Sequence, residues 1–180
     1  MLAACGNSVS ETANVNQNYV NNMSDDSVQT DQKMNDNYLI KMSRSACFGN
    51  CPAYNLTIYE NGKVIFEGVK FTKIKEKEEI NLDEEKINAL IGEIEKADFY
   101  SFKDIYDGKS GNCPAFWFDS PNVVISIKLR EKEKTILHNL GCEEKSKVIT
   151  SVKVFPSQLY NLENKIDEIV ETKRWIGEGK

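Results

Sequence analysis

The sequence has no run approaching the 18 or so consecutive apolar residues that a membrane-spanning helix requires. It is poor in histidine: His138 stands alone, so a Ser-His-Asp triad has one possible centre, and no serine or acid can be named to complete it. A basic surplus is absent too. The 23 lysines and arginines are outnumbered by 28 aspartates and glutamates, for a net charge of -5 and a pI near 5.1. A nucleic-acid binder needs a basic face to displace counterions from phosphates. Here the lysines alternate with glutamates, as in KIKEKEE (73–79) and REKEK (130–134), so their fields largely cancel. No nucleic acid is expected as a partner, and no cofactor. Among so many acids, pairs such as Asp104 with Asp107 or Glu143 with Glu144 are ordinary loop and surface carboxylates and carry no catalytic signal.

What is present begins at the first residues. Leu2-Ala3-Ala4-Cys5 resembles the bacterial lipobox, an apolar residue and two small ones before a cysteine. In such proteins the chain is cut before the cysteine and its thiol receives a diacylglycerol. The charged and apolar regions of a signal peptide do not precede it here, so the true start is expected upstream or trimmed away. Acyl chains on Cys5, palmitate among them, would hold the chain to a membrane. Each buried methylene contributes about 0.8 kcal/mol, and more than one chain gives stable attachment. The expected location is the cell envelope, on the outer membrane, with the domain in the periplasm or at the cell surface.

From Gly6 to Asp36 the chain is rich in Asn, Ser, Asp, Gln and Thr, and Tyr19 is its one aromatic residue. Such a segment buries too little apolar surface to offset the entropy of ordering. Residues 1–37 are therefore expected to be a lipobox remnant and a disordered tether, spanning roughly 30 Å as a coil and about 100 Å drawn straight.

Residues 38–180 are expected to form a single α+β domain. Tyr38 to Met42 predicts a first strand, and AYNLTIYE (53–60) with VIFEGVKF (64–71) predicts a hairpin around Asn61-Gly62. A three-residue loop, Glu60-Asn61-Gly62 with Gly62 left-handed, pairs Ile58 with Val64 and Leu56 with Phe66 and gathers the apolar side chains on one face; a two-residue loop splits them. Lys73 to Ile80 predicts a charged, exposed edge. Ile87, Leu90, Ile91 and Ile94 give a helix from about Asp83 to Ala97, with acids at its positive end. Phe99 to Pro114 predicts a loop whose aromatics cover the core. Val123, Ile125, Ile127 and Leu129 alternate in a second hairpin that returns from Thr135 to Leu140. Leu159, Leu162, Ile166 and Ile169 give a last helix from about Pro156 to Glu171, with Trp175 folding back. The predicted architecture is an antiparallel sheet of two β-hairpins plus an N-terminal strand, with two helices packed on one face.

Besides Cys5 there are four cysteines, Cys47, Cys51, Cys113 and Cys142. In an exported domain an even count predicts disulfides, with three possible connectivities. The segment Cys47-Phe48-Gly49-Asn50-Cys51-Pro52-Ala53-Tyr54, followed by LTIYENGKVIFEG, resembles a bacterial exported or lipoprotein domain of unknown function with the signature CFGxCPxY before a hairpin. The resemblance extends over roughly Leu39 to Trp175, including Ala97-Asp98-Phe99, Asp119-Ser120-Pro121 and Arg174-Trp175. It implies this fold and export and carries no known activity. The signature contains the first cysteine pair alone, which implies Cys47–Cys51 and Cys113–Cys142, with crossed pairings such as Cys47–Cys142 open. On the chain-entropy model the two bridges are worth about 2 and about 3.6 kcal/mol, less any ring strain.

Two functional readings follow. The first is a non-enzymatic binding module for an unknown protein or small ligand, using an aromatic patch of Phe116, Trp117 and Phe118 with Tyr106. The second is a thiol-redox or copper-binding protein using Cys47 and Cys51, because CxxxCP also occurs in copper-handling proteins of thioredoxin-like fold, where two thiolates and a distant histidine hold Cu(I). That motif leads into a helix in those proteins and into a predicted hairpin here, which favours structural disulfides and the first reading.

Overall fold

The computed structural model describes residues 37–144 and 153–177. Cys5 and nearly all of the expected tether lie outside these residues. The elements run β1 (Tyr38–Arg44), β2 (Ala53–Tyr59), β3 (Lys63–Lys70), β4 (Lys77–Asn81), α1 (Glu84–Lys96), a 3-10 turn (Phe99–Ser101), β5 (Ile105–Tyr106), β6 (Ala115–Phe116), β7 (Asn122–Leu129), β8 (Lys132–Asn139), β9 (Cys142–Glu143), α2 (Ser157–Val170) and α3 (Lys173–Ile176).

The fold is α+β, built on a mostly antiparallel sheet of order β4-β3-β2-β1-β7-β8-β5, beside a two-stranded sheet of β6 and β9. β1 lies between the two hairpins and joins them, with Met42 opposite Leu56 on one side and Ile125 on the other. The sheet exceeds the predicted two hairpins and one strand. β4 pairs with β3 along the charged edge, but only from Lys77, because residues 72–74 first cross Gly68, whose Cβ would stand 1.9 Å from the Ile74 carbonyl oxygen. β5 lies within the predicted loop and pairs parallel with β8; two residues are too few to show a period.

The first hairpin has the predicted register, Leu56 with Phe66 and Ile58 with Val64, and Gly62 sits at φ +88°. In the second, Arg130 takes φ +57° and Leu129 pairs with Lys132, so pairing begins three residues before Thr135. Lys134 explains how a charged residue joins an inward position there: its ammonium ion-pairs with Asp104 at 3.1 Å and donates to the carbonyls of Tyr100 and Phe102.

Asp83 caps α1 by accepting the Lys86 amide at 2.8 Å, and the helix buries Ile87, Leu90 and Ile94. α2 buries Leu159, Leu162, Ile166 and Val170. Both helices share one core with Ile40, Met42, Leu56, Ile58, Val64, Phe66, Ile125, Ile127 and Ile136. The strands' other face is polar, with Ser43 bonded to Asn55 and Ser126 to Thr135, each at 2.7 Å. Beyond α2, Trp175 is buried and stacks on Phe66 with ring centroids 4.8 Å apart.

Candidate functional site

Strand register fixes which end of the sheet carries chemistry. β1 enters at Tyr38 beside the 60–62 turn, where the Glu60 amide donates to the Asn37 carbonyl, and it leaves at Arg44, at the opposite end. At that far end the core-facing positions Gly68, Tyr54, Arg44, Val123, His138 and Tyr106 fall opposite one another across six strands. The last row of the core is thus largely polar. Helix α2 crosses it with Glu163 and Asp167 turned inward, four residues apart and so on one helical face.

Asp167 gathers three donors. It accepts from Arg44 Nε at 2.9 Å, from the Tyr54 hydroxyl at 2.5 Å and from Thr172 Oγ1 at 3.0 Å. Burial works against the charge on Arg44, but Asp167, Tyr54 and Glu163 outweigh it and push the guanidinium pKa up. Burial, reinforced by the Asp167 charge, likewise pushes the Tyr54 phenol up. Glu163 and His138 are both fully buried; His138 Nδ1 lies 2.9 Å from a Glu163 oxygen and Nε2 lies 3.0 Å from the Phe155 carbonyl. Among the described residues, Arg44 Nη2 and Glu163 Oε2 lack an aligned hydrogen-bond partner, and neither atom reaches solvent. His138 and Glu163 are sealed beneath α2 and hold the helix on the sheet, whereas Arg44, Tyr54 and Asp167 line a small open cavity of about 210 Å³ with Cys51, Pro52 and Asn122.

Immediately beyond the row stand two covalently closed segments. Cys47 and Cys51 are bridged with Cα atoms 5.5 Å apart, closing the loop between β1 and β2. Cys113 and Cys142 are bridged at 5.3 Å, tying the approach to β6 onto β9. This is the connectivity that the signature implied. The two closed segments meet where the Phe48 amide donates to the Asp119 carbonyl at 3.5 Å and the Ser45 amide donates to the Asn122 carbonyl at 2.9 Å.

Large apolar side chains are exposed here. Phe48 is 91% exposed, Phe118 82% and Trp117 63%. Trp117 is held at both its backbone and its ring: its amide donates to Gly141 at 2.8 Å and its indole nitrogen donates to Glu143 at 2.5 Å. Phe116 is a half-buried pillar behind them, edge-on to Phe118 at 5.4 Å and so close to Gly108 that a Cβ there would come within 2.6 Å of its ring.

Of the four aromatic residues expected on this patch, Tyr106 is elsewhere. Pairing of β5 with β8 turns it inward to 6% exposure, edge-on to His138 and Phe155, with its hydroxyl accepting the Lys103 amide at 3.0 Å. Phe48 was missed as a patch residue, although a phenyl inside a five-residue disulfide ring has no interior to fold into. The polar row was missed because Arg44, Glu163 and Asp167 look like surface charges. Two signals pointed to it: Arg44 continues the inward alternation Ile40, Met42, and Glu163 falls inside the stripe Leu159, Leu162, Ile166. As for copper, both ring nitrogens of His138 are engaged, and no cluster of three or more His, Cys, Asp or Glu among the described residues is placed to hold a metal ion. Cys51 leads into a strand, so neither thiol gains the field of a helix N-terminus.

These features define a disulfide-stapled α+β domain with an aromatic end. The profile of the DUF6438 family, a domain of unknown function, matches residues 38–170, and the chain belongs to that family. The match runs from β1 through α2 and so takes in both disulfides and the polar row. No curated protein matches the chain.

Proposed function

We propose that this is a lipid-anchored binding protein of the bacterial cell envelope, held by acyl groups on Cys5 through the tether of residues 6–37, and that it engages its partner through the aromatic end formed by Phe48, Trp117 and Phe118. The observation that carries this reading is the exposure of three large aromatic side chains on segments closed by disulfides. Exposed aromatics cost solubility unless something covers them. Holding them on stapled loops lowers the entropy lost when a partner docks. The polar row beneath supports this surface by holding α2 on the end of the sheet that carries both stapled loops. Four cysteines closed in two bridges agree with an oxidising compartment, as the Leu2-Ala3-Ala4-Cys5 sequence does.

The test is site-specific photo-cross-linking of the full-length protein in its native cells. A photoreactive residue at position 48 or 118 is expected to give a discrete adduct, and the same residue at Lys41 or Asn55 on the polar face of the sheet is expected to give none. Equal labelling at all four positions, or none at 48 and 118, contradicts the proposal.

A further inference from the structure

We infer that the aromatic end takes a neutral saccharide chain, with sugar rings lying against Trp117 and its neighbours Phe48 and Phe118. This inference rests on the proposed binding role and names the chemistry of its partner. Two observations lead to it.

The first is what Trp117 offers. Its single hydrogen-bond donor, the indole nitrogen, is already spent on Glu143, while the ring stays 63% exposed. An indole in that state presents a fixed π face and no donor. The electron-rich face of an aromatic ring attracts cations and polarised C–H groups, and the axial C–H bonds of a pyranose form such a surface. The second is charge. The stapled segments 45–52 and 112–121 contain no lysine or arginine, and their one charged residue is Asp119. With Glu143 beside Trp117, these segments supply no cation of their own to phosphate, anionic lipid headgroups or nucleic acid. A neutral sugar needs no cation, and the exposed Asp119 carboxylate can accept from its hydroxyls.

The full-length protein, with its disulfides intact, would be incubated with the uncharged insoluble polysaccharides chitin, cellulose and β-1,3-glucan, and in parallel with vesicles of phosphatidylethanolamine and phosphatidylglycerol. Retention on at least one polysaccharide is expected, falling at least tenfold in a Trp117→Ala variant and in a Phe48→Ser/Phe118→Ser variant. A soluble oligomer of the retained polymer should shift tryptophan emission, and Trp117→Phe should abolish the shift, because the other tryptophan, Trp175, is buried against Phe66. Near-ultraviolet circular dichroism checks that each variant folds. Retention on no polysaccharide overturns the inference. So does retention that the substitutions leave unchanged. Vesicle binding lost on substitution, with no polysaccharide bound, overturns the saccharide while leaving the aromatic end as a binding surface; in that case the cross-linking at positions 48 and 118 still succeeds.

Discussion

At the scale of single residues, the strongest constraints sit where polar groups are buried. Removing one partner of a fully buried hydrogen bond leaves the other unsatisfied, at a cost of about 1–3 kcal/mol. His138→Ala or Glu163→Ala is therefore expected to destabilise the domain by about that much in urea titrations, whereas Lys165→Ala, whose partner Glu168 is exposed, should change it by less than about 0.5 kcal/mol. Tyr54 adds a pH dependence. Its phenol and that of Tyr38 ionise at higher pH in the folded protein than in the unfolded chain, Tyr38 being pushed up to about 12 by burial and its bond to Glu133. A group whose folded pKa is raised contributes stability that is whole below the unfolded value near 10 and is lost as pH rises through the folded value. The urea midpoint should hold steady from pH 7 to about 9.5 and then fall. Tyr54→Phe should flatten that alkaline decline while lowering stability at pH 7 by about 1 kcal/mol for the lost bond to Asp167.

At the scale of elements, much of the architecture could be read from sequence, and the reasons are specific. The 53–71 hairpin was readable because one register alone gathers Tyr54, Leu56, Ile58, Val64 and Phe66 on a single face, and because Gly62 can take φ +88°. A side chain there would also meet the Leu82 carbonyl oxygen at 2.5 Å. Gly62→Ala is expected to cost about 1–3 kcal/mol through strain and to shift amide resonances in both β3 and the start of α1. Helix α1 was readable from Asp83 and its apolar spacing. β5, β6 and β9 were not, since two-residue strands have no period and are held by partners distant in sequence, β8 for the first and a disulfide for the other two. The aromatic end was half readable. Phe116, Trp117 and Phe118 announce themselves as a run, but only tertiary pairing could turn Tyr106 inward or bring Phe48 beside Asp119.

At the scale of the whole domain, a packed core adjoins an end that exposes Phe48, Trp117 and Phe118, with two disulfides at the junction. The bridge from Cys113 to Cys142 closes the longer loop, with a sequence separation of 29, and on the chain-entropy model is worth about 3.6 kcal/mol. Replacing both of its cysteines by serine should lower the thermal midpoint well beyond the effect of opening the 47–51 ring, which closes only a short loop. Opening the short ring should instead weaken partner binding, since it frees Phe48 while the core stays intact. A reversal of these two sensitivities would mean that the roles of the bridges are misassigned.

Both disulfides, and the acyl anchor proposed on Cys5, require passage out of a reducing compartment. Intact mass of the protein extracted from native membranes, without reductant, tests this directly. The predicted mass is that of a chain beginning at an acylated Cys5, lighter by the four hydrogens that two disulfides remove. A product recovered from the cytosol with Cys5, Cys47, Cys51, Cys113 and Cys142 all unmodified would contradict it.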